Sequence, residues 1–410
     1  MGKVSDSILR FIQIHMLMCL PPSLPNRDDQ GHAKSVRVAG VKRQRISSQC
    51  NKHSWRNSSH FLEDLQGHTG QRSKRFVTET VHEKLTASGA DEEVIESWMQ
   101  DLMAVYGKPD AKANEKPNES PRYDVSTLVF LSHHEIEQLH TFAAALSEHL
   151  IGRYDGPLQA LLQDLDGLRA EREHHVAGKK SKKDKTQAHA RYTKYIVERL
   201  VQALLSLDNL SVDISLFGRM MAGTPTYNVE AACQVSHAFT VHASETEDDY
   251  FSAVDDLNAG LEHSGSGHLG RTEFGSGIYY VYVCVDRELL LRNLQGDEEL
   301  TRRALRSLLN AMATVTPTGK QNSFATRALA SWIMVEKGSS TPFSLSSAYL
   351  DPVKGPNMLE KAITRVESLS EDFAAVYDNP QTARQTINVA ARQGSFHELL
   401  SFIAEPPKGA

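Results

Sequence analysis

Between positions 34 and 56 the chain carries seven Lys and Arg residues and no Asp or Glu. The whole chain has a formal net charge of −6, so this segment reverses the overall balance. Lys42, Arg43 and Arg45, then Lys52 and Arg56, flank Ser47, Ser48 and Gln49. Phosphate oxygens accept hydrogen bonds from all of these side chains and from amides at a helix N-terminus. Lys52 and Arg56 are four apart and share one face of a helix. The ordinary alternative is a solvated charged face. An acid-free run of this length favours a polyanion, and nucleic acid first.

Four other groups invite chemistry. Asp28 and Asp29 are adjacent carboxylates next to the basic run and suit a Mg²⁺ that assists phosphodiester cleavage. A turn, or an internal partner for Arg27, is the favoured reading. His133, Glu137 and His140 share a helix face, but the segment HHEIEQLH is not the H-E-x-x-H pattern of zinc enzymes. No metal or cofactor is expected. GSGHLG at 265–270 fits G-x-G-x-x-G, yet an acidic segment precedes it and a strand-like run, GIYYVYVCVD, follows. A dinucleotide loop needs a strand before and a helix after, so a loop or hairpin turn is the better reading. SETEDDYFSAVDD at 244–256 has six acids and no base. It serves solubility or docks on the basic face of a neighbouring copy, and head-to-tail contacts of that kind build open filaments.

These groups must be held by a fold of ordinary composition. The 410 residues suffice for two or three domains, with 40% hydrophobic and 23% charged residues. Cys19, Cys50, Cys233 and Cys284 form no C-x-x-C pair, which disfavours a zinc ribbon or dithiol site and suits a reducing cytoplasm. The apolar run before Pro21 is interrupted by Gln13 and His15, and reads as a first strand rather than a signal peptide. No segment is expected to span a membrane. PPSLPNRDD is a loop, and Ser47 or Ser48 caps a helix from Gln49 towards Arg56.

Helical spacing follows in Val94, Ile95, Trp98 and Leu102, in Ile136 to Leu150, and in Ile196 to Leu207. Residues 107–121 read as a flexible polar insert and 178–187 as a lysine-rich loop. VDISLFGRM, HAFTVHA, GIYYVYVCVD and ASWIMVEK read as strands, residues 300–312 as an amphipathic helix, and 359–376 and 382–403 as two C-terminal helices. The fold class is α+β, a sheet split by a large helical insertion.

FIQIHMLM, NRDD, KRQRISSQ, LFGRM, AVDDL, GSGHLG with TEFGSG, and GKQNSFA occur in this order. Together they resemble the backbone subunit of the type I-E CRISPR surveillance complex, the CasC-type subunit of Cascade. The resemblance covers about 11–56 and 211–335. It implies a hand-like fold: an RRM-like (ferredoxin-like) palm, a helical fingers insertion and a β-hairpin thumb. Mapped on this chain, these are palm 1–58, fingers 59–210, palm 211–243, thumb 244–274 and palm 275–410.

The resemblance further implies a non-catalytic subunit that oligomerises along CRISPR RNA in antiviral defence. Its partners would be the guide, target DNA through pairing, further copies of itself and other Cascade subunits. Arg27, Lys34, Lys42, Arg43, Arg45, Ser47, Ser48, Gln49, Lys52, Arg56, Arg219, Met220, Lys320 and Gln321 would face RNA. Tyr250, Phe251, Ser252, His268 and Leu269 would form the base-displacing thumb. After SSQ the family continues with a Leu-Lys-Arg pattern, whereas this chain has Cys50, Asn51, Lys52 and His53. The alternative function is a metal-dependent ribonuclease, because backbone subunits of related RNA-targeting complexes cut RNA with a loop aspartate. Asp28 or Asp29 would take that role.

Overall fold

Alternating apolar residues in FIQIHMLMCL form β1 (Phe11–Ser23), a strand buried on both faces. The computed structural model describes residues 9–114, 122–253, 268–377 and 383–405. The remaining strands are β2 (Ser35–Val38), β3 (Val41–Ile46), β4 (Gln71–Ser73), β5 (Val129–Leu131), β6 (Cys233–Val235), β7 (Ala238–Thr240), β8 (Glu247–Ala253), β9 (His268–Asp286), β10 (Ala330–Gly338) and β11 (Ala383–Asn388). The chain divides into two compact units. One comprises Met1–Gln66, Ala232–Arg292 and Gly296–Ala410; the other comprises Gly67–Ala231 and Asn293–Gln295.

The first unit holds one antiparallel sheet in the order β11-β10-β1-β9-β7-β3-β2, with β6 and β8 also paired to β9. Ile14 faces Val283 on one side and Val335 on the other, so three β-branched runs stack at the centre. Leu17, Tyr280, Trp332 and Met334 pack with Ala362, Ile363 and Val366 of helix Met358–Val376. On the opposite face Met16, Met18, Ile46, Tyr279 and Val281 line a small cleft with Trp55 and Val315. Both faces are therefore covered, which explains runs that are apolar on both sides.

The second unit packs helices Glu92–Tyr106, His133–Leu150, Gln159–Ala177 and Lys182–Leu204 around Trp98, Phe142, Leu146, Leu165 and Leu200. The short β4–β5 pair belongs to the same unit. Buried Asp101 takes Arg169 at 2.9 Å and Arg172 at 2.5 Å.

Several local expectations change. The lysine run is helical: Ser181 accepts from the Asp184 amide, and lysine is a good helix former. VDISLF is a helix, Val212–Phe217, ended by Gly218 at φ +78°. All six of its residues are buried, which erases the periodicity that marks a helix. The stretch 382–403 contains strand β11, paired to β10, and only then helix Phe396–Ala404. Gly394, at φ +78°, approaches the Thr386 carbonyl too closely for a Cβ and separates the two. Residues 59–66 lie in the sheet unit and 211–231 in the helical unit. The polar insert is described as far as the short helix Ala111–Asn114, and 115–121 lie outside the described residues.

Candidate nucleic-acid interface

The basic run begins as a hairpin. Val38 pairs with Val41, and Ala39 and Gly40 between them take φ +46° and +83°. Two consecutive left-handed residues make the turn whose twist matches antiparallel strands. Lys42 is exposed on β3, and Arg45 is half-buried. The Arg45 amide donates to the Lys34 carbonyl at 2.8 Å, which holds the two cationic residues side by side. Arg45 Nη1 donates to His237 Nδ1 at 2.9 Å. Burial, then the charges of Arg45 and Lys34, hold His237 below the ordinary histidine range.

The helix that follows is α1 (Ser48–Arg56), capped as expected. Ser47 Oγ accepts from the Cys50 amide at 3.3 Å. The Ser47 amide donates to Asn26 Oδ1 at 2.9 Å, so the NRDD loop is pinned to the helix start. Ser48 is half-buried and Gln49 exposed on the first turn. Lys52 is half-buried, and its charge opposes the burial that pushes the Cys233 thiol up to about 12. Arg27 is exposed and lines a cleft of about 390 Å³ with Gln30, His32, Arg271 and Lys320. Lys320 Nζ donates to Thr272 Oγ1 at 2.9 Å, and Gln321 follows at the start of the short helix Gln321–Phe324. Residues far apart in sequence, Arg27 and Lys320, are thus brought together.

Other charges turn inward. Arg43 is fully buried and donates to the carbonyls of Thr240 at 3.1 Å and Tyr349 at 3.0 Å. Arg56 is also buried. Arg219, in the helical unit, is buried against Glu135 at 2.6 Å. The expectation that Arg43 and Arg219 face a nucleic acid directly is corrected: each guanidinium is spent on an internal tie. Met220, next to Arg219, is 83% exposed.

Tyr250, Phe251 and Ser252 are exposed on β8. Phe251 pairs with Gly270, and its ring lies over that glycine where no Cβ would fit. His268 and Leu269 open β9 in register with Ala253 and Ser252. The acids on this strand pair are partly answered within the chain, since Asp248 holds Arg271 and Glu273 holds His32 at 2.9 Å. Residues 254–267, and with them most of AVDDL and the start of GSGHLG, lie outside the described residues.

The candidate catalytic groups separate. Asp28 Oδ1 accepts from the amides of Gln30 at 3.0 Å and His32 at 2.9 Å, the turn role expected of it. Asp29 is exposed beside it. His133 Nε2 lies 3.3 Å from Glu137 on an exposed helix face. Among the described residues no cluster of three His, Cys, Asp or Glu side chains has the arrangement of a metal site. The roles of Asn26, His237 and Thr272 escape a sequence reading, because each acts through a partner distant in the chain, Ser47, Arg45 and Lys320.

Fold and surface together define a class: an antiparallel sheet with helices on both faces, a helical insertion, and a cationic hairpin running into a capped helix. The chain belongs to the CT1975-like protein family, whose pattern it matches over residues 12–401. It is similar to a solved chain of a "CRISPR RNA-guided surveillance complex, pre-nicking", at 26% identity and a TM-score of 0.70, covering 96% of this chain and 99% of that one. A second, from a "CRISPR RNA-guided surveillance complex", shares the fold at 22% identity and a TM-score of 0.61 over the same shares of both chains. No curated protein matches the chain in sequence.

Proposed function

We propose that this chain is a non-catalytic backbone subunit of a CRISPR surveillance complex of the type I-E, Cascade kind. It binds the phosphates of a guide RNA and lines up with further copies and other subunits along it. The carrying observation is the acid-free segment 34–56, whose Lys34, Lys42 and Arg45 lie on the hairpin that runs into the capped α1, in a chain that is otherwise acidic. The strand order supports an RRM-like palm. Reading β1, α1, β7, β9, helix Glu298–Thr314 and β10 as strand–helix–strand twice over gives the order 4-1-3-2 of the ferredoxin-like fold.

The departure from an ordinary RRM is informative. An RRM reads bases on the open face of its sheet. Here helix Met358–Val376 and Tyr349 occupy one face and α1 the other, so the bases have no open sheet to stack on. Binding at the hairpin edge holds phosphates and leaves the bases free, which suits a protein that delegates sequence reading to pairing with target DNA. The β8–β9 pair fits the thumb, and exposed Tyr250 and Phe251 suit stacking on a base at each junction between copies.

The test is RNA retention. Replacing Lys42, Arg45 and Lys52 together with Ala should abolish co-purification of RNA from a folded protein. Partial variants should flatten the salt dependence of binding by roughly 0.7 in log–log slope for each phosphate no longer neutralised. Unchanged RNA content in the triple variant would remove this face from the reading.

A further inference from the structure

Strand β9 runs on past the sheet. From Gly275 to Asp286 it pairs with β1, and from His268 to Phe274 it pairs with β8. The β8–β9 ribbon is exposed on both faces at Asp248, Asp249, Tyr250, Phe251 and Arg271, so it has no core of its own. Its joint to the sheet is weak as well. The β1 register shifts there, between Leu20 and Ser23, and Gly275 stands where a Cβ would collide with the Gln44 side chain. A glycine inside a strand adds no side chain to hold its direction.

The three residues just before that glycine supply the hold. Glu273 Oε1 lies 2.9 Å from His32 Nδ1, and Oε2 accepts from the Ala33 amide at 3.2 Å. Thr272 and Phe274 belong to the opposite face of the ribbon. Thr272 Oγ1 accepts from Lys320 Nζ at 2.9 Å, and the Phe274 ring centre lies 5.8 Å from that of Phe324. The base of the ribbon is therefore gripped from both faces, and the two jaws are themselves fixed. The loop that carries His32 is closed by the Asp28 carboxylate and by the pairing of Arg27 with Ala33. Gly319, before Lys320, lies so close to the carbonyls of Pro25 and Leu24 that a Cβ would meet them at 2.6 and 2.9 Å, which ties one jaw to the other. Lys320 and Ala325, at φ +51° and +49°, bound the Gln321–Phe324 turn with two left-handed residues, a conformation that only its surroundings can impose.

We infer that Glu273 is a positioning residue: it sets the direction in which the β8–β9 ribbon leaves the sheet, and with it the joining of a second copy of the chain along an RNA. The inference rests on the reading above and deepens it. Of the three grips, that of Glu273 has one carboxylate holding two partners, and one of them is a backbone amide that no rotamer change can move. Farther along β8, exposed Glu247 and Asp249 have no cationic partner among the described residues and suit the cationic hairpin of that second copy.

Two measurements on the full chain test it. Spin labels carried on non-natural residues at Asp249 and Glu360, both exposed and both in the sheet unit, report the ribbon direction as a distance distribution. Glu273→Ala should broaden that distribution. Glu273→Gln keeps an acceptor oxygen for the Ala33 amide and should restore most of the narrow one. Phe324→Ala, on the other face, should broaden it less. Should Glu273→Ala fold poorly, His32→Ala removes half of the same grip and should act in the same direction. An unchanged width in Glu273→Ala and His32→Ala would overturn the positioning role.

The second measurement compares a short single-stranded RNA that holds one copy with a longer one that holds several. Glu273→Ala should leave affinity for the short RNA as it is and lower cooperativity on the long one about 10-fold or more, the scale of a hydrogen bond to a charged group. Equal losses on both RNAs would make Glu273 a support of the RNA surface and overturn its part in joining copies. Unchanged cooperativity, with a broadened distance distribution, would overturn that part too. A wild-type chain that binds no RNA, or binds it without cooperativity, would overturn the functional reading and the assembly half of this inference, while the label distances still decide the positioning half.

Discussion

The β2–β3 hairpin and the 218–229 loop each bury an arginine from a cationic motif, and they neutralise it in opposite ways. Arg43 donates to the carbonyls of Thr240, Tyr349 and Leu350, and no carboxylate lies within ion-pair distance of it among the described residues. Arg219 meets Glu135 with both side chains at 0% exposure. The first arginine keeps its positive charge inside the sheet unit with only neutral carbonyl partners among the described residues, so it would add to the potential at the proposed RNA surface. The second contributes almost nothing beyond its own loop. A buried charge is thus held by neutral carbonyls in one unit and by a carboxylate in the other.

The largest expected effect breaks the second arrangement. Arg219→Met should cost about 3–5 kcal/mol of stability in the helical unit, because Glu135 is left charged and buried. Adding Glu135→Gln should restore most of it, as read by denaturant melts. Arg43→Met strands only neutral carbonyls and should cost less, about 1–3 kcal/mol. It should also lower RNA affinity modestly without changing the salt slope, since it removes a field and leaves every phosphate partner in place. Equal destabilisation by the two substitutions, with no rescue by Glu135→Gln, would erase the distinction.

The sequence pattern separates these cases poorly. β1, β9 and β10 are legible because their apolar runs are long and β-branched, and Ser47 is legible as a cap because its hydroxyl has a local task. Arg219 is not. Its partner, Glu135, lies 84 positions away and shows in sequence only as the third residue of a helix, in a capping box with Ser132. Arg43 looks like its neighbours Lys42 and Arg45, and only the carbonyls of Thr240 and Tyr349, far along the chain, turn it inward. The hairpin turn is hard to see because Ala39-Gly40 is a weaker signal than Asn-Gly, and Ser35, Val36 and Arg37 of β2 are all exposed, so that strand has no buried alternation. Strand β11 reads as helix because its own residues are only half-buried and its identity comes from the open edge of β10.

A smaller effect concerns His237, which shares Arg45 and Lys34 with the proposed RNA surface. Its Nδ1 accepts from Arg45, so the neutral ring is the form that fits. Its folded pKa lies below the ordinary value, through partial desolvation and then the charges of Arg45 and Lys34, although the residue as a whole is exposed. The free protein therefore gains stability from this group above the ordinary histidine pKa and loses it as pH falls towards the depressed one. A phosphate on Arg45 and Lys34 offsets their repulsion and frees Nδ1. Binding then takes up protons, and RNA affinity should rise as pH falls from about 7.5 to 6. His237→Asn should flatten that rise. A pH profile identical to wild type would place the phosphates elsewhere than on Arg45.

The smallest expected effect is none at all, and it bears on the ribonuclease alternative. Asp28 spends one carboxylate oxygen on two backbone amides, those of Gln30 and His32, which shape the loop that Asn26 ties to α1. A carboxylate so engaged is a turn former first. Asp28→Asn keeps an acceptor oxygen there and should preserve RNA binding, whereas Asp28→Ala should loosen the loop and weaken it slightly. Asp29 has no such task among the described residues, so Asp29→Ala should leave folding and binding as they are. EDTA should not alter guide retention, and no RNA paired to the guide should be cut in Mg²⁺ or Mn²⁺. Cleavage that requires a divalent cation and disappears in Asp29→Ala would replace the scaffold with a nuclease. Loss of RNA binding in Asp28→Asn would show that the charge of Asp28, and not its acceptor geometry, is what the loop needs.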